Sequence, residues 1–186
     1  WRAYSLTHGP RRDGRISITV KAVPDGVVSN HLVHGSRPGT IVHLDQAQGE
    51  FVLQSDAEKL LFVTAGSGIT PVIGMLRNLF PSTDSGVLLL DRSAALDIVV
   101  VHVAPRRPDS IFIRDLEALA EAGAIRLVAR YDDEHGVLDV DDLDELGPDL
   151  ADRRTLACGP AGLLDALAAP HEAAGLELVI EQFRTT

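Results

Sequence analysis

The chain has 186 residues, 45% of them hydrophobic, enough for one full core and part of a second. Its 27 acidic residues outnumber 17 basic ones for a formal charge of -10, which repels a phosphate backbone and excludes nucleic acid as the expected partner. The single cysteine, Cys158, rules out both an internal disulfide framework and a four-thiolate iron–sulfur centre within the chain.

No apolar run approaches the ~20 residues that cross a bilayer. The start, Trp1-Arg2-Ala3-Tyr4, lacks the basic and apolar regions of a secretion signal. The expectation is a cytoplasmic protein without membrane insertion; nothing in the sequence sets its oligomeric state.

In chain order, Arg15 to Val23 alternates apolar with polar residues, the period of a strand with one buried face. Gly26 marks a turn, Val27 to Val33 a short helix, and Thr40 to Leu44 and Phe51 to Leu53 two further short strands. From there apolar runs alternate with helical segments. Strands are expected over Leu60–Ala65, Ile98–Ala104, Ile125–Arg130, Arg154–Cys158 and Leu176–Glu181. Helices fall between them: Ile69–Phe80 with Pro71 in its first turn, Ile111–Ala122 with Ser110 as cap and Gly123 after its end, a short acidic helix over Asp139–Leu146, and Ala161–Ala174 ending before Gly175. Val87 to Leu90 reads equally as strand, helical turn or loop.

Such alternation predicts an α/β fold: a doubly wound, parallel, five-stranded sheet over residues 55–186. Residues 1–54 read as part of an antiparallel β-barrel, with too few strands to close it, so further strands are expected upstream.

The strongest local signal is Leu61-Phe62-Val63-Thr64-Ala65-Gly66-Ser67-Gly68-Ile69-Thr70-Pro71, an apolar strand entering a glycine turn and a helix start. Glycines let a backbone approach a diphosphate, and the helix start offers unpaired N–H groups at the positive end of its dipole. Alone, Gly-x-Gly serves equally as a tight turn without ligand, and Pro71 stands near the place of the third glycine of the dinucleotide fingerprint.

Four motifs in one order make the signal more specific: Arg2-Ala3-Tyr4-Ser5, Gly26-Val27-Val28-Ser29, the Gly66 turn, and Cys158-Gly159-Pro160. In this order the chain resembles the ferredoxin–NADP reductase superfamily, above all the oxygenase- and desaturase-associated reductases. The resemblance implies a flavin-binding barrel followed by a nicotinamide-binding domain. It implies that Arg2 pairs with flavin phosphate, Tyr4 packs on the flavin ring and Ser5 hydrogen-bonds near it. Gly26, Val28 and Ser29 would hold the flavin diphosphate, a role open alongside ordinary helix capping by Ser29. Gly66, Gly68, Thr70 and Pro71 would shape the nicotinamide pocket, with Cys158, Gly159 and Pro160 beside the ring. Glu181 is either a polarising carboxylate or an exposed strand end, and Phe183 either a cofactor contact or a pin for the last strand. Ser5, Thr70, Cys158 and Glu181 are thus the implied catalytic set, FAD rather than FMN the implied flavin, and NAD(P)H the donor.

Arg106 and Arg107 follow a strand and suit a ribose 2′-phosphate, with Arg130 near them, whereas the acids of Tyr131-Asp132-Asp133-Glu134 oppose it. The balance leans to NADPH. The seven histidines show no metal-ligand spacing, so no metal is expected, and His102 reads as a satisfied core histidine. The acids of Asp139 to Glu145 read as a solvated helix face. The implied reaction is hydride transfer from NAD(P)H to FAD, then single electrons to an iron–sulfur protein. The reductase part of a flavohaemoprotein, a free flavin reductase, or a nucleotide-binding electron-transfer subunit without hydride transfer remain open.

Overall fold

A computed structural model describes residues 1–9, 11–54, 58–82, 96–139, 142–143, 149 and 152–183. Its centre is one sheet of five parallel strands, β1 (Lys59–Ala65), β2 (Asp97–Ala104), β3 (Arg126–Tyr131), β4 (Arg154–Cys158) and β5 (Leu178–Glu181), in the order β3-β2-β1-β4-β5. β1 and β2 are covered on both faces, which is why their sequences are continuous apolar runs rather than alternations. On one face Leu60, Phe62, Ile98, Val100 and Leu156 meet α2 (Ile69–Leu79) through Val72, Ile73 and Leu76, and α3 (Ile113–Glu121) through Leu116 and Leu119. On the other, Leu61, Val63, Val99, Val101 and Ala157 meet Leu164 and Leu167 of α5 (Ala161–Ala174). A one-turn helix, α4 (Asp132–His135), follows β3 directly.

Every strand predicted from Leu60 onward is present, with ends shifted by one or two residues. α2 and α5 also lie where expected, and Gly123 and Gly175 follow their helices. The start of α3 differs. Ser110 does not cap it, because the tight turn Arg107–Asp109 closes onto Ser110 (amide to Arg107 carbonyl, 3.1 Å), two residues ahead of the actual cap position, Phe112. The Ser110 hydroxyl is buried and lacks a partner among the described residues. The 87–90 stretch and most of the acidic 139–146 segment lie outside the described residues.

The strands read over 15–23, 40–44 and 51–53 do not form ladders among the described residues. One antiparallel bridge joins Leu6 to Ile18, next to a Thr7 amide that donates to the Ser17 carbonyl at 2.9 Å. A ladder requires a hydrogen-bonding neighbour, and among the described residues only Leu6 pairs with this region, at Ile18. Ile41, Val42 and Leu44 are therefore exposed, while Phe51 and Leu53 pack against the α2–α3 side of the core. The helix expected after Gly26 exists and runs further, as α1 (Val27–Asn30) continued by a wider π turn over His31–Gly35.

At the amino-terminal end of the sheet, Arg153 is almost fully buried and ties three segments together. It donates to the Asp97 carboxylate at 2.6 Å, to Asp149 at 2.8 Å, and to the carbonyls of Leu60 and Asp97 at 3.3 and 3.0 Å. The opposite, carboxyl end is where the chain changes direction: β1 leads through α2 outward to β2, and β4 flanks β1 on its other side. Connections diverge there, at the switch point where doubly wound sheets form their ligand-binding crevice.

Candidate functional site

Both loops at the switch point carry the predicted motifs. After β1 the chain enters a tight turn, Gly66–Gly68, and then α2. Gly66 has φ +53, and a Cβ there would meet nothing within 4 Å, so this side of the turn is open. Gly68 faces the other way and is closed in: a Cβ would lie 2.0 Å from the Cys158 carbonyl oxygen. The Gly66 turn and the Cys158-Gly159-Pro160 turn thus touch backbone to backbone. Thr70 is buried and its hydroxyl donates to the Ser67 carbonyl at 2.9 Å, fixing the first turn of α2. Pro71 stands third in the helix, where an amide has no intrahelical acceptor, so its ring costs no hydrogen bond. α5 begins just after Pro160, so two helix amino termini, each favourable to anions, open on the same crevice.

Behind the crevice a polar row crosses the sheet. In register, His102 of β2 neighbours Thr64 of β1, Thr64 neighbours Cys158 of β4, and Cys158 neighbours Glu181 of β5. The Thr64 hydroxyl lies 2.8 Å from His102 Nδ1. Burial pushes the His102 imidazole down to about 4, against the opposing effect of a hydrogen bond to the Thr64 backbone, so the ring is neutral at neutral pH. Burial, and secondarily the Glu181 charge, pushes the Cys158 thiol up to about 12, so the sulfur stays protonated. Burial also raises the Glu181 carboxyl. The expectation of a fully satisfied histidine is corrected: Nδ1 is partnered, but Nε2 is buried without a partner among the described residues.

The segment that follows the amino-terminal motif lies along α2. A Cβ at Gly74 would lie 2.2 Å from the Leu6 carbonyl oxygen, and one at Gly9 would lie 2.6 Å from the Arg77 carbonyl oxygen. Leu6 meets Gly74 and Gly9 meets Arg77, so the strand runs in the same direction as the helix. Tyr4 and Ser5 are partly exposed, and Arg2 is exposed with Nη1 donating to the Trp1 carbonyl at 2.8 Å.

The Gly26 motif forms a self-contained turn. Ser29 does not cap α1; its hydroxyl accepts from the Val23 amide and donates to the Gly26 carbonyl, both at 3.3 Å. Gly26 is required sterically, since a Cβ would fall 2.5 Å from Ser29 Oγ; Val28 is exposed. Arg106 and Arg107 follow β2 on the surface. Each is held by a carboxylate, Arg106 by Asp109 at 2.8 Å and Arg107 by Glu117 at 2.5 Å, with the Tyr131 hydroxyl 3.5 Å from Arg107. Arg130 pairs with Asp142 at 3.3 Å. Phe183 is half-buried just after β5.

The structure therefore gathers Gly66, Gly68, Thr70, Pro71, Cys158, Gly159, Pro160 and Glu181 at one corner, and lays Leu6 to Gly9, the segment that follows Tyr4 and Ser5, along α2. Sequence reading passed over Thr64, Gly74 and Arg77. A glycine inside a helical pattern was the available signal for Gly74, since it implies close packing.

Residues 1–53 match the oxidoreductase FAD-binding domain family. The chain is 44% identical over 170 residues to an NADPH oxidoreductase of Mycobacterium tuberculosis, covering 89% of this chain and 42% of that one. It is 30% identical over 182 residues to the ferredoxin reductase component of a 3-ketosteroid-9-alpha-monooxygenase of the same species, covering 90% and 46%. Phthalate dioxygenase reductase shares the fold, with a TM-score of 0.69 at 20% identity over 97% of this chain and 53% of that one. The chain spans about half the length of the curated relatives it matches. With a segment that matches the FAD-binding oxidoreductase family continuous with a switch-point sheet of 3-2-1-4-5 order, the chain is similar to the ferredoxin–NADP reductase superfamily.

Proposed function

We propose that this chain is the flavin- and nicotinamide-binding part of a cytoplasmic reductase that takes hydride from NAD(P)H onto FAD and passes single electrons to an iron–sulfur protein serving an oxygenase or desaturase. The division falls at residues 54 and 55, flavin segment first. The supporting observation is the corner itself: the Gly66 and Cys158 turns in backbone contact, with the Leu6 to Gly9 segment laid along the helix that follows the first of them. A relative that is the ferredoxin reductase component of a monooxygenase supports the acceptor class.

The residues fit the two cofactors. The open side of Gly66 and the amides starting α2 suit a dinucleotide diphosphate. Arg2 suits the flavin phosphate, Tyr4 a ring face, and Ser5 a ring edge. The Gly26-Val28-Ser29 turn would serve the flavin diphosphate through backbone, since the Ser29 hydroxyl is engaged inside the turn. Phe183, half-buried just after β5, suits a ring edge. Bound flavin supplies the two-electron to one-electron conversion; the chain's own contribution is to orient and to exclude water. Thr70 and Cys158 present a hydroxyl and an uncharged thiol, so no thiolate opposes transfer of a negative hydride. Arg106 and Arg107 suit a 2′-phosphate, which would displace Asp109 and Glu117, and the reading is NADPH over NADH.

The test is anaerobic titration of the purified, FAD-loaded protein. NADPH should bleach the yellow colour, faster than NADH does. Protein that stays colourless after incubation with FAD and FMN, or retains its colour with both nicotinamides, overturns the proposal.

A further inference from the structure

The face of α2 that carries Thr70 continues through Gly74 to Arg77, positions i, i+4 and i+7. At Gly74 and Gly9 the two backbones approach without intervening side chains. Such a contact is close but smooth, and nothing in it fixes how far the strand slides along the helix. Directional bonds must do that, and Arg77 supplies them.

Its Nη1 donates to the Thr7 carbonyl at 2.6 Å, and its Nη2 to Asp115 of α3 at 2.7 Å. The guanidinium carbon lies 5.1 Å from the centroid of the Phe112 ring. Thr7 is buried, and its amide is bonded on the opposite side to Ser17, so its carbonyl projects toward the helix. Phe112 holds φ +60 to present its ring, a conformation a bulky residue adopts only when the surroundings impose it. A solvated surface arginine requires none of these three arrangements.

We propose that Arg77 is a positioning residue: a latch that sets the longitudinal register of the Tyr4 strand on α2, and hence the spacing between the flavin and nicotinamide motifs. It touches neither cofactor. The inference rests on the reductase reading and names how its hydride distance is set. An ångström of slippage at the latch reaches Tyr4 and Thr70 undiminished, because strand and helix are both stiff along their axes, and transfer rates depend steeply on such placement.

The test is anaerobic stopped-flow reduction of the flavin-loaded protein by NADPH. Arg77→Ala should lower the limiting reduction rate about tenfold or more while the half-saturating NADPH concentration changes less than about twofold, since no NADPH contact is lost. The long-wavelength charge-transfer absorbance of stacked nicotinamide and flavin should weaken in parallel. Arg77→Lys, which keeps the charge but cannot bridge Thr7 and Asp115 together, should fall between. Wild-type reduction rate in Arg77→Ala overturns the latch, as does a slowed rate that flavin loss alone accounts for. Should Arg77→Ala fail to fold, Arg77→Lys decides: slowed reduction with NADPH affinity retained upholds the latch, and wild-type reduction overturns it. Wild-type protein that NADPH does not bleach overturns the reductase reading first.

Discussion

Cys158 and His102 flank Thr64 on adjacent strands, and burial keeps both uncharged, so pH acts on them in opposite senses. Unfolded, the imidazole takes its proton near 6.5, whereas folded it resists until about 4; stability from this group is present above 6.5 and is lost as pH falls toward 4. The thiol ionises near 9.0 unfolded and about 12 folded, so its contribution is present below 9.0 and is lost as pH rises toward 12. Each slope approaches about 1.4 kcal/mol per pH unit. Thermal melts should accordingly show a steeper acid limb in wild type than in His102→Gln, and a steeper alkaline limb in wild type than in Cys158→Ala. Limbs that superimpose would show that these groups reach water in the folded protein. The cysteine's burial was legible in its place at a strand end after an apolar run. The histidine's half-satisfied state was not, because a strand pattern states burial but not which ring nitrogen finds a partner.

Among the elements, α2 carries the most conflicting local signal. Gly74 lies in a helix interior, where alanine is ordinarily favoured by about 1 kcal/mol. A methyl there would lie 2.2 Å from the Leu6 carbonyl, and the contact is with backbone that has little room to yield. Gly74→Ala should therefore destabilise by about 1–3 kcal/mol in chemical denaturation; a stabilised variant would mean that the strand has left the helix. The strands from Leu60 on were legible because apolar runs of this length, alternating with helical segments, mark buried parallel strands. The alternation over 15–23 was equally clear, yet periodicity specifies a face and not a partner, and the ladder it implied is reduced to the Leu6–Ile18 bridge. Ser110 misled for a related reason: a capping residue type is also a turn residue, and the Arg107–Asp109 turn claimed it. The latch was illegible, since it joins residues 70 positions apart through a main-chain carbonyl that no side-chain pattern encodes.

At the scale of the molecule, the two ends of the sheet divide labour. The carboxyl end is open and built from glycine, while the amino end is locked by Arg153, which holds β1, β2 and the approach to β4 through two carboxylates and two carbonyls. Arg153→Leu should cost about 3 kcal/mol, the lower part of the range for a broken buried pair because Asp97 and Asp149 both reach solvent. Urea denaturation measures it; an unchanged midpoint would assign the lock to packing alone.

The apolar residues displayed along 1–54, among them Trp1 at 85%, Val27 at 84% and Ile41 at 87% exposure, make these 186 residues, taken by themselves, amphiphilic in the colloidal sense. Its formal charge of -10 keeps copies apart at low ionic strength. Concentrated salt shortens the reach of that repulsion to about 3 Å at 1 M and leaves the adhesive flank unaffected. The sedimentation coefficient of this chain should therefore climb with sodium chloride, and a value that stays flat from dilute buffer to molar salt would mean the flank is shielded in solution.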